Sequence, residues 1–144
     1  VKSIRRVAGV AASTVALTLA LALPTIGTAN ASTTDQVTFT WRGYLTAGSC
    51  TIEPGAKWTL YSDGTARLDA TVSSLDDDDA WLMWAHLLDE RKAVLGDIQV
   101  YRSSSTKFVK NLPSHTRSYR WIAWGQFDPS LFDLVKHMSL SKHC

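Results

Sequence analysis

The sequence predicts a mainly β protein, a small antiparallel β-sandwich or barrel with one short helix near residues 129–136. Two observations lead there. Several stretches alternate apolar and polar residues with the period of a strand, and Gly, Pro and Asp clusters break them at short intervals. Seven or eight short strands with frequent turns fit two packed sheets or a closed one. No internal repeat, linker or second domain interrupts the pattern.

Residues 1–31 read as a cleaved secretory signal peptide. Lys2, Arg5 and Arg6 form a positive start, Val7 to Leu23 an apolar run, and Ala29-Asn30-Ala31 an A-x-A cleavage pattern. The alternative is a membrane anchor, but 17 apolar residues sit at the short limit for a span. Val1 fits an alternative start codon, which points to a bacterium. The expected product is a single secreted, extracellular β domain over 32–144, with no membrane attachment after cleavage.

Val37, Phe39 and Trp41 alternate with threonine and arginine, giving a half-buried strand. Gly43 and Gly48 bracket a turn-rich approach to Cys50, and Pro54-Gly55 marks another turn. Trp58 and Leu60 then face Ala66, Leu68, Ala70 and Val72 across a hairpin at Asp63-Gly64. A three-residue loop, Ser62-Asp63-Gly64, pairs Trp58 with Leu68 and Leu60 with Ala66, keeping apolar faces together. It also places Gly64 at the left-handed position of a G1 bulge.

Asp76 to Gly96 admits two structures. As a helix it has an acidic start, Arg91 and Lys92 late, and Gly96 as a stop. But Ala80 to Leu88 would then be apolar nearly all round, and a domain this small has few places to bury such a cylinder. The strand reading, a hairpin of Trp81 to Leu88 with Ala93 to Tyr101, is preferred. Arg91-Lys92 fits it poorly, because a tight turn favours Asn or Gly.

Phe108 and Val109 suggest a short strand before Pro113. Tyr119, Trp121, Ala123 and Phe127 share one strand face; Arg120, Ile122, Trp124 and Gln126 share the other. Asp128-Pro129 is an N-cap with a first-turn proline, so Ser130 to Lys136 is expected to be helical. Met138, Leu140 and Cys144 alternate with polar residues in a final strand.

Removing the leader leaves twelve basic and thirteen acidic residues, net −1, against +2 for the whole chain. That argues against a general polyanion binder, nucleic acid included. Charge is segregated: residues 63–97 carry a net −6 and residues 98–127 a net +5. Either the two regions are solvated faces or they complement each other within the fold. Cys50 and Cys144 are an even pair in a chain bound for an oxidising compartment, so a disulfide is expected. A free thiol or a dimer bridge is the alternative.

Asp76 and Asp78 are candidate ligands for a hard cation, although D-D-D-D lacks the spacing of a calcium loop. A helix start or a solvated turn explains the run equally well. His137 and His143 stand six residues apart on one strand, about 20 Å, too far to share an ion. His86 sits in an apolar run and His115 in a basic loop. Ser, His and Asp are all present, but no nucleophile-elbow signature joins them, so no catalytic residue is assigned and no cofactor is expected. The six tryptophans include two i, i+3 pairs, Trp81/Trp84 and Trp121/Trp124. On strands, one member of each pair faces out, which makes Trp81, Trp84 and Trp124 candidate ligand-binding residues. Core filling is the competing explanation.

FTW at 39–41, SC at 49–50, KWTLYSDGTA at 57–66, SSLDDDDAWLMWAHLLD at 73–89 and SLSKHC at 139–144 together resemble an uncharacterised family of small secreted bacterial domains of unknown function. The resemblance implies a mostly β secreted domain with this two-cysteine pattern, and no activity. The reading is therefore a non-catalytic extracellular binding module for a protein or a glycan, with an inhibitor of a secreted enzyme second and a small hydrolase third.

Overall fold

Side chains alternate across a strand, so each alternating stretch has one face to bury. The computed structural model describes residues 33–144, and the expected signal peptide over 1–31 lies outside the described residues. The strands are Gln36–Trp41 (β1), Leu45–Ala47 (β2), Cys50–Ile52 (β3), Ala56–Tyr61 (β4), Thr65–Ser74 (β5), Asp79–Leu88 (β6), Val94–Asp97 (β7), Gln99–Val100 (β8), Phe108–Leu112 (β9), Tyr119–Gln126 (β10) and His137–His143 (β11). They form two antiparallel sheets, so the mainly β expectation holds.

The two longest strands organise the sheets in the same way. In the first sheet, β5 pairs along one edge with β10 and along the other with β4 and β3, one at each end. β1 lies beyond β4, β2 beyond β3, and β8 beyond β10. In the second sheet, β6 pairs along one edge with β11 and along the other with β9 and β7. Their inner faces make one core: Trp58, Leu60, Leu68 and Val72 from the first sheet meet Trp81, Met83 and Leu87 from the second. Trp58 meets Phe108 edge-on, with ring centroids 5.1 Å apart.

The β4–β5 hairpin has the expected three-residue loop, with Trp58 opposite Leu68 and Leu60 opposite Ala66. Gly64 has φ +86°, and a Cβ there would stand 2.6 Å from the Phe127 carbonyl oxygen. Both facts require glycine.

Asp76–Gly96 resolves as strands. Trp81, Met83, Ala85 and Leu87 all point inward and are fully buried, while Leu82, Trp84 and His86 point outward, half-covered by neighbouring strands. The return turn manages without Asn or Gly. Asp89 Oδ1 accepts hydrogen bonds from the Arg91 and Ala93 backbone N–H groups, and Lys92 takes φ +63°.

Two expectations need correction. Ala93 to Tyr101 is not one strand. The chain leaves the second sheet after β7 and enters the first at β8, crossing at Ile98. Ile98 is fully buried, and its N–H donates to the Ala85 carbonyl at 2.9 Å. Gly125 makes room for the crossing, because a Cβ there would overlap Ile98 Cγ2 and stand 2.9 Å from the Gln99 carbonyl oxygen. The helix near 129–136 is also shorter than expected: a single 3-10 turn, Pro129–Leu131, capped by the Asp128 side chain. The chain then turns so that Lys136 N–H reaches the Leu88 carbonyl at 2.9 Å and delivers β11 to β6. Docking of that strand leaves no length for a longer helix.

Cys50 on β3 and Cys144 beyond β11 form a disulfide-distance pair that links the two sheets, with Cα atoms 5.8 Å apart. No helix among the described residues is long and apolar enough to cross a membrane.

Candidate functional site

The outer face of the first sheet is built from the polar positions of its strands. The β4–β5–β10 register puts Thr59, Arg67 and Trp124 in one cross-strand row, and Lys57, Asp69 and Ile122 in the next. Trp124 is 48% exposed. Its indole lies nearly parallel to the Tyr61 ring, 23° between planes and 6.3 Å between centroids. The Arg67 guanidinium stands 6.0 Å from the indole centroid. Tyr101, itself exposed, joins Trp124 and Thr65 around a hollow of about 330 Å³. The result is an open aromatic platform edged by hydroxyl and cationic groups.

Beside it, Asp69 accepts hydrogen bonds from Arg120 at 2.9 and 3.3 Å. That pairing holds the Asp69 carboxyl below its ordinary range, helped by the charges of Arg120, Arg67 and Lys57, against partial desolvation. The segregated charges thus complement each other here across β5 and β10. They meet again where Asp77 Oδ1 accepts from the His115 backbone N–H and from its ring Nδ1–H, at 2.8 and 2.7 Å.

The aspartate run is a turn whose members separate. Asp76 and Asp78 are exposed, and Asp78 takes φ +55°. Asp79 instead folds in against the cysteine pair. Its Oδ2 accepts from Ser74 Oγ at 2.7 Å and Ser49 Oγ at 2.8 Å, and lies 3.0 Å from Cys144 Sγ. The two hydroxyls hold its carboxyl below the ordinary value. Cys50, Asp79 and Cys144 are the one group of three potential metal ligands among the described residues, and it includes neither Asp76 nor Asp78. With the two sulfurs joined, that group offers no thiolate to a metal.

The outer face of the second sheet carries a different arrangement. His86 on β6 lies opposite Asp97 on β7, with Nδ1 and Asp97 Oδ1 2.6 Å apart. On its other side, His86 Nε2 is 2.7 Å from Ser141 Oγ on β11. An ionised carboxylate only accepts, so Nδ1–H donates to Asp97. In the neutral ring Nε2 then accepts, and Ser141 Oγ–H donates to it. Trp84 lies two residues before His86 and directly opposite Ser141. A cleft of about 710 Å³, lined by Asp63, Leu95, Asp97, Tyr101 and Asp128 among others, reaches this set at Asp97.

Of the proposed ligand-binding tryptophans, Trp124 is exposed and Trp84 half-covered. Trp81 is corrected. It is fully buried, and its indole N–H donates to the Thr51 carbonyl at 3.2 Å, because its strand phase points it into the core. The Asp97–His86–Ser141 set was not read from sequence. Its members lie on three strands, 11 and 55 positions apart, and only the pairing register joins them. The apolar run around His86 gave no sign of either partner.

A disulfide-linked, two-sheet β protein with one open aromatic face is the class that fold and surface define. The chain belongs to a family of unknown function, Family of unknown function (DUF6294), whose model matches residues 57–144. No curated protein and no solved structure matches it.

Proposed function

We propose that this is a secreted, extracellular binding module that holds a glycan, or a protein, on the outer face of its first sheet. The observation that carries the reading is Trp124, nearly half exposed toward the β8 edge of the sheet face and flanked by Tyr61, Tyr101 and Arg67. A flat indole on a rigid strand offers the apolar face of a sugar ring a stacking surface, with little entropy lost on binding. Thr59, Thr65 and Arg67 supply hydroxyl and cationic partners around it. This favours a glycan over a protein, whose interfaces rest on a well-packed and fully desolvated centre.

The test is a glycan array followed by calorimetry on the disulfide-bonded protein. A hit whose affinity falls at least about tenfold in Trp124→Ala, roughly the 1.4 kcal/mol of one decade, and is retained in Trp84→Ala supports this face. A hit indifferent to Trp124→Ala removes it. A silent array with a protein captured through Trp124 moves the ligand to protein.

A further inference from the structure

We propose that Ser141 is a reactive nucleophile activated by His86, and that the outer face of the second sheet cleaves small esters whose apolar part rests on Trp84. Three positions carry the argument. The carboxylate, imidazole and hydroxyl are in line, with Asp97 on Nδ1 at 2.6 Å and Ser141 on Nε2 at 2.7 Å. This is the order needed for base catalysis: the carboxylate fixes the tautomer, which leaves Nε2 free to take the hydroxyl proton. The three groups come from three adjacent strands of one sheet, so backbone pairing and not loop mobility sets their spacing.

The surroundings suit an apolar ester. Ser141 is exposed, and its cross-strand neighbour Trp84 presents a half-covered indole. Leu82, paired with the exposed Val109, continues an apolar strip along the same face. β11 is the edge of its sheet, so alternate backbone N–H groups along it are unused by the ladder.

The chemistry balances without a cofactor. Ser141 Oγ bonds to the ester carbonyl carbon as its proton passes to His86 Nε2, and the carbonyl electron pair moves onto oxygen. The pair returns, the alkoxide leaves, and it takes the proton from Nε2. Water then repeats the sequence on the acyl-serine, losing its proton to Nε2 and releasing the carboxylic acid and free Ser141. The same hydroxyl would attack an organophosphonate and expel fluoride, leaving a stable adduct.

The experiment uses the intact disulfide-bonded protein, a fluorophosphonate and p-nitrophenyl butyrate, with adducts located by mass spectrometry and folding checked by circular dichroism. The expected result is one adduct at Ser141 and ester hydrolysis above the buffer rate. Both are absent in Ser141→Ala and slower by about 10²–10⁴-fold in His86→Gln, the usual worth of a general base. Asp97→Asn, which keeps the shape but reverses the tautomer preference, should slow both as well. Absence of an adduct on the folded protein overturns the proposal. So does labelling at another residue, or a rate unchanged in folded His86→Gln. Ser141 is exposed and His86 half-covered, so these variants are expected to fold.

Discussion

Trp81/Trp84 on β6 and Trp121/Trp124 on β10 have the same spacing and divide the same way. Trp81 and Trp121 are buried, and their partners face out. Yet Trp124 stands 48% exposed while Trp84 is partly covered by its neighbours. Strand phase decides which face a residue takes. How far it is covered depends on what lies alongside. β6 has strands along both edges near Trp84, whereas beyond Trp124 only the two-residue β8 follows.

The sharpest way to break this comparison is to truncate the inner members. Trp81→Ala should cost about 3–5 kcal/mol, the usual range for a buried tryptophan, read from urea midpoints. A cost within 1 kcal/mol would mean that β6 does not carry the core. Next is the covalent tie. Reducing the Cys50–Cys144 pair, or replacing both with Ala, should lower stability by about 4 kcal/mol, as expected for a loop of roughly this length. An unchanged midpoint would show that the sheets hold together without it.

A smaller effect concerns the ion pair beside Trp124. The Asp69 carboxyl is lower in the folded protein than its ordinary value near 3.8. Its contribution is therefore present above that value and lost as pH falls through the folded one. Stability should decline on acidification below about pH 4. Asp69→Asn should flatten part of that decline by lowering stability slightly at neutral pH, where the carboxylate is charged, while leaving it little changed in acid, where the carboxyl is already protonated. A profile identical to wild type would deny the pair any role. Smallest of all, Trp124→Ala should alter stability by no more than about 0.5 kcal/mol, as for an open surface position. A loss comparable to Trp81→Ala would make Trp124 a core residue and remove the platform.

Where the physics is local, the fold was legible. The β4–β5 register followed from matching apolar faces around Gly64, and the disulfide-distance pair from a count of two. The apolar run of β6 was harder, because a strand and a buried helix both satisfy it. The sheet change at Ile98 left almost no trace. The overlap that makes Gly125 necessary is with Ile98 and Gln99, more than 25 positions away. For the same reason Trp124 was legible as an outward residue, while Tyr61 and Arg67 beside it, and Asp97 and Ser141 around His86, depended on register.

The two sheets are tied at opposite ends. Cys50 lies opposite Ser74 at one end of β5, and Gly125, against the Ile98 crossing, lies opposite Ala66 at the other. With both ties in place neither end can part. Once the sulfurs separate, the protein becomes a book with its spine at Ile98. Hydrogen–deuterium exchange should then quicken first at the amides of β3 and the Asp79 end of β6, while the Ala85–Ile98 contact stays closed longest.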